Sequence, residues 1–350
     1  MSFMEITIGE KKIVRGGDPF IIAEAGINHN GSLDLAFKMI AAAKEAGADC
    51  VKFQTFKANE FVGDPGQMYT YISQGKEITE SMLEMFRRYE FSREEWFLVK
   101  QKCDEVGILF LSTPQNTTDL ELLLELGVES IKVGSDDFTN IPLLRDYAKT
   151  CLPIIVSCGM SDLAEVYKAL EAIGTFDGYP TILLLCTSQY PTPPVDVNLN
   201  RLKTLMNTFQ ELIIGFSDHT QGVLASVIAV GLGAVVFEKH FTLDRDQAGP
   251  DHWFSEDPNG IKKWVDSIRT GYEMLGSSIV RPTLIELANK KEFQRIIVAS
   301  RHLSKGEIID EKSITMRRMV FSNGLPPRLA HVLIGTHAHR DFMKGEPIIL

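Results

Sequence analysis

IIGFSDHTQG (213–222) and VVFEKHFTLDRDQAGPDHWFS (235–255) hold the two histidines around which the chain is organised, His219 and His240. In each segment a run of four or five apolar residues, the mark of a buried strand, gives way abruptly to polar ones. The first ends in Ser217-Asp218-His219-Thr220 and the second in Glu238-Lys239-His240. Side chains alternate along a strand, so Ser217 shares a face with His219 and Glu238 shares one with His240. Both imidazoles can then project inward at one end of a parallel sheet. Either histidine alone reads more readily as a hydrogen-bonded residue at a strand end. The pair on consecutive strands favours a site for a divalent metal.

Working outward, the same run-then-helix unit recurs. Eight apolar runs can be marked: FIIAEAG, DCVKFQTF, GILFLSTP, SIKVGSDD, PIIVSCGM, TILLLCTSQYP, LIIGFSDHT and AVVFEKHFT. Helical periodicity fills the gaps at 33–46 (apolar Leu35, Met39, Ile40, Ala43), 92–106, 118–126, 161–173 and 221–232. Ser92, followed three residues on by Glu95, and Ser161 are the expected N-caps. Eight such units predict an α/β protein built on a parallel (β/α)8 TIM barrel over residues 20–277. A doubly wound sheet is the alternative, but nothing resembling GxGxxG follows the first run. Residues 1–19 alternate around Gly9-Glu10 and predict a hairpin covering one end of the barrel. Residues 56–91 break the rhythm and read as a long loop with a helix over the mouth of the site. Residues 278–294 read as a linker with no strand pattern, and 295–350 as a separate small domain of short strands.

Polar groups gather at the C-terminal ends of the runs: Glu24, Lys52, Gln54, Thr113, Lys132, Ser157, Ser188, Ser217 and Glu238 among them. In a barrel that is the catalytic face. An unpaired buried ammonium is costly, so two inward lysines on separate strands point to chemistry. With 350 residues, 44% hydrophobic and 23% charged, the chain can bury a sizeable core. Its net charge of −10 argues against nucleic acid or an anionic membrane as partner, so any anionic ligand must be held by local cations. The five cysteines have no CxxC spacing and read as reduced thiols in a cytoplasm. The first residues carry no apolar signal core, and no run is long enough to span a membrane.

These ends carry a resemblance. AEAGINHNG (23–31), VKFQTFK (51–57), STP (112–114), IKVGS (131–135), SCGM (157–160), CTSQYPTP (186–193), GFSDHT (215–220), EKHFT (238–242) and GPDHWFS (249–255) together resemble the sialic acid synthase family, and the last sixty or so residues resemble its antifreeze-like (SAF) domain. The resemblance implies an enzyme that condenses phosphoenolpyruvate with an open-chain N-acetylmannosamine-type hexosamine. The product is a nonulosonic acid of sialic or legionaminic type, formed with C–O cleavage. On matched positions, Lys52, Thr113, Lys132, Ser135, Ser157 and Ser217 would surround phosphoenolpyruvate. His219 and His240 would hold Mn2+, with Mg2+ or Co2+ as alternatives, and no organic cofactor is implied. Glu24 would contact the sugar and do acid–base work, Asp251 would bind a sugar hydroxyl, and Tyr190 lies in the YPTP stretch.

The chain also departs from the family pattern. Ser188 stands where some relatives have Asn. GSDD (134–137) replaces GSGE, which leaves Asp136 or Asp137 as the second carboxylate, with Asp137 preferred by position. Asp218 and Glu238 are either residues that orient the imidazoles or simple strand-end acids. Arg318 matches an arginine that relatives bring into the neighbouring subunit's site, which implies a homodimer, although the MVFSNG that follows departs from PGNG. Other readings are a synthase for pseudaminic or sugar-phosphate substrates, a barrel aldolase, and a sugar-binding protein without activity. A barrel hydrolase would prefer His-x-His where this chain has Asn28-His29-Asn30. With no further basic cluster in view, a neutral acylated hexosamine is favoured, and the GSDD and CTSQYPTP variants lean toward a bacterial, non-neuraminate sugar.

Overall fold

Strands form where the apolar runs are buried on both faces. The computed structural model describes residues 5–319 and 323–349. It opens with an antiparallel hairpin of β1 (Glu5–Ile8) and β2 (Lys11–Val14). Then come β3 (Phe20–Gly26) and β4 (Cys50–Thr55), an inserted antiparallel pair β5 (Met68–Ser73) and β6 (Lys76–Ser81), and six further strands. These six are β7 (Leu109–Pro114), β8 (Ile131–Val133), β9 (Ile154–Ser157), β10 (Thr181–Cys186), β11 (Ile213–Ser217) and β12 (Val236–His240). The eight parallel strands pair in the order β7-β4-β3-β12-β11-β10-β9-β8. Since β7 and β8 at the ends of that order lie side by side, the sheet curls into an almost closed barrel with helices outside it. That is the TIM barrel expected from the eight runs; a doubly wound sheet would leave its end strands apart.

Alternation then divides each strand between two environments. Ile22, Ile155, Ile182, Leu184, Ile213 and Val236 point into the barrel and join Ile6, Ile8 and Ile13 of the hairpin, which plugs the N-terminal end. The opposite faces pack on helices, as with Ala36, Met39, Ile40 and Ala43 of the helix Leu33–Glu45. Gly215 matters for register: a Cβ there would sit 2.3 Å from the Val236 carbonyl oxygen and 2.5 Å from Leu184 Cδ2. Any larger residue would push β11 away from β12, on which both histidine segments depend.

Several local expectations change. The capping box of Ser92 and Glu95 forms as expected, but the helix Leu163–Ile173 is capped by Asp162 with Glu165, not by Ser161. Asp accepts from the N3 amide just as Ser would, and its position three residues before Glu165 closes the reciprocal pair. The insertion holds the β5–β6 hairpin as well as a helix, Met82–Tyr89. Within 278–294 lies a helix, Leu284–Phe293, with a Thr283–Glu286 capping box.

The chain divides into two compact units, one ending at Gly276 and the other beginning at Ser277. In the second, β13 (Arg295–Ala299) pairs with β14 (Ile314–Arg318), and Ile297, Leu303, Ile309, Phe342 and Ile348 make a small core of their own. Residues 320–322, within the MVFSNG stretch, lie outside the described residues.

Candidate active site

A cavity of about 840 Å3 opens at the C-terminal ends of the barrel strands. Its floor is a charge network that alternation assembles from four strands. Lys52 Nζ on β4 lies 2.8 Å from Glu24 Oε2 on β3 and 3.9 Å from Glu238 Oε2 on β12. Lys132 Nζ on β8 lies 3.5 Å from Glu238 Oε1. The remaining valences are filled locally. Lys52 donates to Thr113 Oγ1 at 3.2 Å, Lys132 to Ser157 Oγ at 2.8 Å, Ser217 Oγ to Glu238 Oε1 at 3.1 Å and Gln54 Nε2 to Glu24 Oε1 at 3.1 Å.

Burial and neighbours divide the four ionisable groups into two kinds. Burial favours neutral Glu238, but Lys132 and Lys52 outweigh it and hold the carboxyl below its ordinary range. Burial likewise opposes a charged Lys52, yet Glu238 and Glu24 keep the ammonium above its usual value. For Glu24 burial prevails over Lys52 and pushes the carboxyl up. For Lys132 burial prevails over Glu238 and pushes the ammonium down. Lys52 and Glu238 thus favour their charged forms as a pair, while burial biases Glu24 and Lys132 toward their neutral forms.

The two imidazoles stand at the edge of this network, their ring centroids 5.5 Å apart. His219 Nδ1 lies 2.8 Å from the Thr187 carbonyl oxygen, to which it must donate, so the lone pair of the neutral ring is on Nε2. Burial opposes charging His219, but Cys186, with Sγ 3.8 Å from Nδ1, and the Thr187 carbonyl raise its pKa. Burial, His219 and Lys52 together drive His240 well below the usual histidine value. His240 Nδ1 is buried without a hydrogen-bond partner, and the nearest acid is Asp251 Oδ2 at 3.9 Å. Among the described residues no group of three or more His, Cys, Asp or Glu is gathered to hold a metal. Any cation here would rest on the two imidazoles.

The other expected residues can be placed one by one. Ser135, Ser188, Tyr190 and Asp251 line the cavity. Ser135 Oγ accepts the Gly159 amide at 3.0 Å, and Ser188 Oγ is buried with no partner. The Tyr190 ring lies 4.2 Å from that of His219. Asp136, not Asp137, lines the cavity. Asp137 instead accepts from Asn140 Nδ2 at 2.9 Å, because strand alternation ends at Val133 and the turn that follows reverses the two side chains. Arg318 is exposed at the end of β14 in the second unit. Of the first strand-end cluster, His29 is buried against Phe91 at 4.2 Å, and Asn28 donates to the Phe241 carbonyl and Ser255 Oγ. Both are scaffold. Glu238 is more than a strand-end acid: it meets Lys52, Lys132 and Ser217, as its period-two relation to the inward His240 allows. The insertion lies at the mouth as expected, but as a hairpin rather than a loop: Tyr69, Tyr71 and Ile72 line the cavity, and Gln74 Nε2 and Ser73 Oγ tie the hairpin tip to Asp246 and Gly249 in the loop that carries Asp251.

Asp251 gives a pH signature. Burial, with help from Glu24 and against His219, raises its pKa to about 7, against roughly 3.9 in an unfolded chain. The native state keeps a proton that the unfolded state releases, so this contribution to stability is complete below roughly pH 4 and is lost as pH rises toward about 7. Between about pH 5 and about pH 8, the wild-type protein should lose melting temperature relative to Asp251→Asn, by a few degrees. Parallel melting curves for the two proteins would show that Asp251 is ionised throughout.

The family model described as NeuB family matches residues 39–280, and that described as SAF domain matches residues 294–349. The chain is 39% identical over 334 residues to the N,N'-diacetyllegionaminic acid synthase of Legionella pneumophila, covering 94% of this chain and 93% of that one. It is 34% identical to the human N-acetylneuraminate-9-phosphate synthase, over 95% of this chain and 92% of that one. The crystal structure of N-acetylneuraminic acid (sialic acid) synthetase from Leptospira borgpetersenii superposes with a TM-score of 0.73 at 34% identity, covering 83% of this chain and 98% of that one. With a barrel of the expected topology, an SAF domain following it in the sequence and this matched span, the chain belongs to the NeuB family.

Proposed function

We propose that the cavity condenses phosphoenolpyruvate with the open-chain form of a neutral, acylated hexosamine, giving a nonulosonic acid and phosphate. The observation that carries this reading is the convergence of Lys52, Lys132, His219 and His240 around Glu238 in one cavity. Phosphoenolpyruvate is a compact anion, and Lys52, Lys132, Thr113, Ser135, Ser157 and Ser217 offer cations and hydroxyls to its phosphate and carboxylate. C3 of phosphoenolpyruvate attacks the aldehyde carbon, water adds to C2, and phosphate leaves as the C2–O bond breaks. Glu24, pushed up by burial, is the group suited to hold and pass a proton at the aldehyde oxygen. Gln54 orients Glu24, while Asp251, Ser188, Tyr190 and Asp136 face the sugar.

The buried, unpartnered Nδ1 of His240 and the lone pair on Nε2 of His219, whose one contact is the long 3.5 Å approach of Ser217 Oγ, suit a divalent cation. Mn2+ held by these two residues would polarise the aldehyde oxygen. Among the described lining residues, Lys52 and Lys132 are the only lysine or arginine side chains, and both already face carboxylates. A second phosphate on the sugar would find no cation in this unit. The walls supplied by Ile72, Met82, Met85 and Phe86 suit methyl groups. This, with 39% identity to the legionaminic acid synthase against 34% to the human enzyme, favours a 2,4-diacetamido-trideoxy sugar giving a legionaminic-type acid. The protein acts in the cytoplasm in this reading, in keeping with free thiols at all five cysteines. Among the described residues no helix is long and apolar enough to cross a membrane. It works as a homodimer, with Arg318 of one copy reaching the sugar of the other.

Phosphate release with a panel of acylated hexosamines tests the substrate. The diacetamido sugar should give the highest kcat/KM and a 6-phosphorylated hexosamine the lowest. Arg318→Ala should raise KM for the sugar while leaving KM for phosphoenolpyruvate unchanged. Preference for the sugar phosphate would refute the neutral-substrate reading, and unchanged constants would refute the cross-subunit arginine.

A further inference from the structure

Behind the imidazoles, on the opposite face of the same strand ends, lies a second buried ion pair that the chemistry above leaves unused. Asp218 and Lys239 immediately precede His219 and His240. Alternation turns them away from the cavity, toward the helices Leu224–Leu232 and Pro258–Leu275. Lys239 Nζ lies 3.2 Å from Asp218 Oδ2, with the two side chains only 3% and 0% exposed. It also donates to the Thr220 carbonyl. Asp218 Oδ1 accepts from Thr220 N at 2.8 Å and Thr220 Oγ1 at 2.7 Å, and Oδ2 accepts from Ser226 Oγ at 2.6 Å. Ser226 Oγ in turn accepts Trp264 Nε1 at 2.8 Å, which anchors the pair to both helices.

Such a pair is a poor stabiliser, since desolvating two charges cancels most of their attraction and apolar residues would pack as well. Its contribution is geometric. The β11–β12 ladder registers only Phe216 with Phe237 and Ser217 with Glu238. One more backbone bond follows, from Asp218 N to the Glu238 carbonyl at 2.8 Å, and beyond it the segments part, the His219 carbonyl accepting from Thr192 and the His240 carbonyl from Glu256. Lys239, reaching across to Asp218 and Thr220, ties the segments together at the level of the imidazoles.

We propose that the Asp218–Lys239 pair is a positioning device that sets the separation and orientation of His219 and His240, and through them the affinity of the site for a divalent cation. The inference rests on the metal reading above. Its test is Mn2+ binding to the metal-stripped full chain, read by electron paramagnetic resonance, with phosphoenolpyruvate binding measured separately by calorimetry without metal. Asp218→Asn and Lys239→Met should each weaken Mn2+ binding tenfold or more, with phosphoenolpyruvate affinity held within about twofold, and Lys239→Arg should recover most of the loss. If a single variant does not fold, the double variant Asp218→Asn/Lys239→Met, which buries no uncompensated charge, should show the same tenfold loss. Wild-type Mn2+ affinity in any folded variant lacking the pair overturns the positioning role alone. If wild-type protein binds no Mn2+, or binds it as well after His240→Ala, the metal reading falls and the positioning role falls with it.

Discussion

Replacing Lys52 with Met should lower kcat/KM for phosphoenolpyruvate by about a thousandfold or more, roughly 4 kcal/mol of transition-state stabilisation. Lys52 touches Glu24, Thr113 and Glu238 together. The same change should destabilise the fold, because removing one partner of a buried pair leaves a carboxylate uncompensated at a cost of about 3 kcal/mol or more. Activity and stability can be separated. Glu24→Gln/Lys52→Met removes the pair at 2.8 Å together and should recover most of the lost stability in denaturant titration while remaining inactive. The single variant should also regain stability as pH falls, since Glu24, already pushed up by burial, then takes a proton. Activity within tenfold of wild type in Lys52→Met would remove this lysine from the site.

His240→Ala should behave differently. The ring makes edge-on contacts to Tyr190, His219 and Phe254 at 5.7, 5.5 and 5.4 Å, and its Nδ1 has no hydrogen-bond partner. Little of the fold leans on it, so stability should change by about 1 kcal/mol or less. Activity should nevertheless fall roughly a thousandfold, because several kcal/mol of carbonyl polarisation go with the ligand, and the remaining rate should no longer respond to added Mn2+. His219→Ala should cost more stability for a similar loss of rate, since it also breaks the bond to the Thr187 carbonyl. A His240→Ala enzyme still stimulated by Mn2+ would mean that the cation sits elsewhere.

The barrel was legible because parallel strands buried on both faces read as continuous apolar runs, and because the same period of two that buries Ile22 turns Glu24 inward at the strand end. Inside regular strands this carried the site correctly: Lys52, Lys132, Ser157, Ser217 and Glu238 all face one network. It stopped where strands stop. Asp136 and Asp137 lie in a turn after Val133, where no periodicity says which side chain faces inward. The β5–β6 hairpin was hidden in a segment rich in charge and glycine, and Tyr69 opposite Glu80 offers no apolar alternation to mark it. Two local signals were present but passed over: Asp162 three residues before Glu165, and Thr283 three before Glu286, each a complete capping box. The Asp218–Lys239 pair needed the fold itself, because nothing in the spacing of two separate strands says that their outward charges meet.

Phosphoenolpyruvate labelled with oxygen-18 at the bridging C–O–P position gives the most direct measurement of the chemistry assigned to this cavity. Incubated with the full chain, Mn2+ and the acylated hexosamine, it should yield phosphate that carries the label, and release should stop when either the sugar or the metal is withheld. Unlabelled phosphate, or release that proceeds without the sugar, would contradict condensation at C2 and leave the four converging side chains without the role given to them.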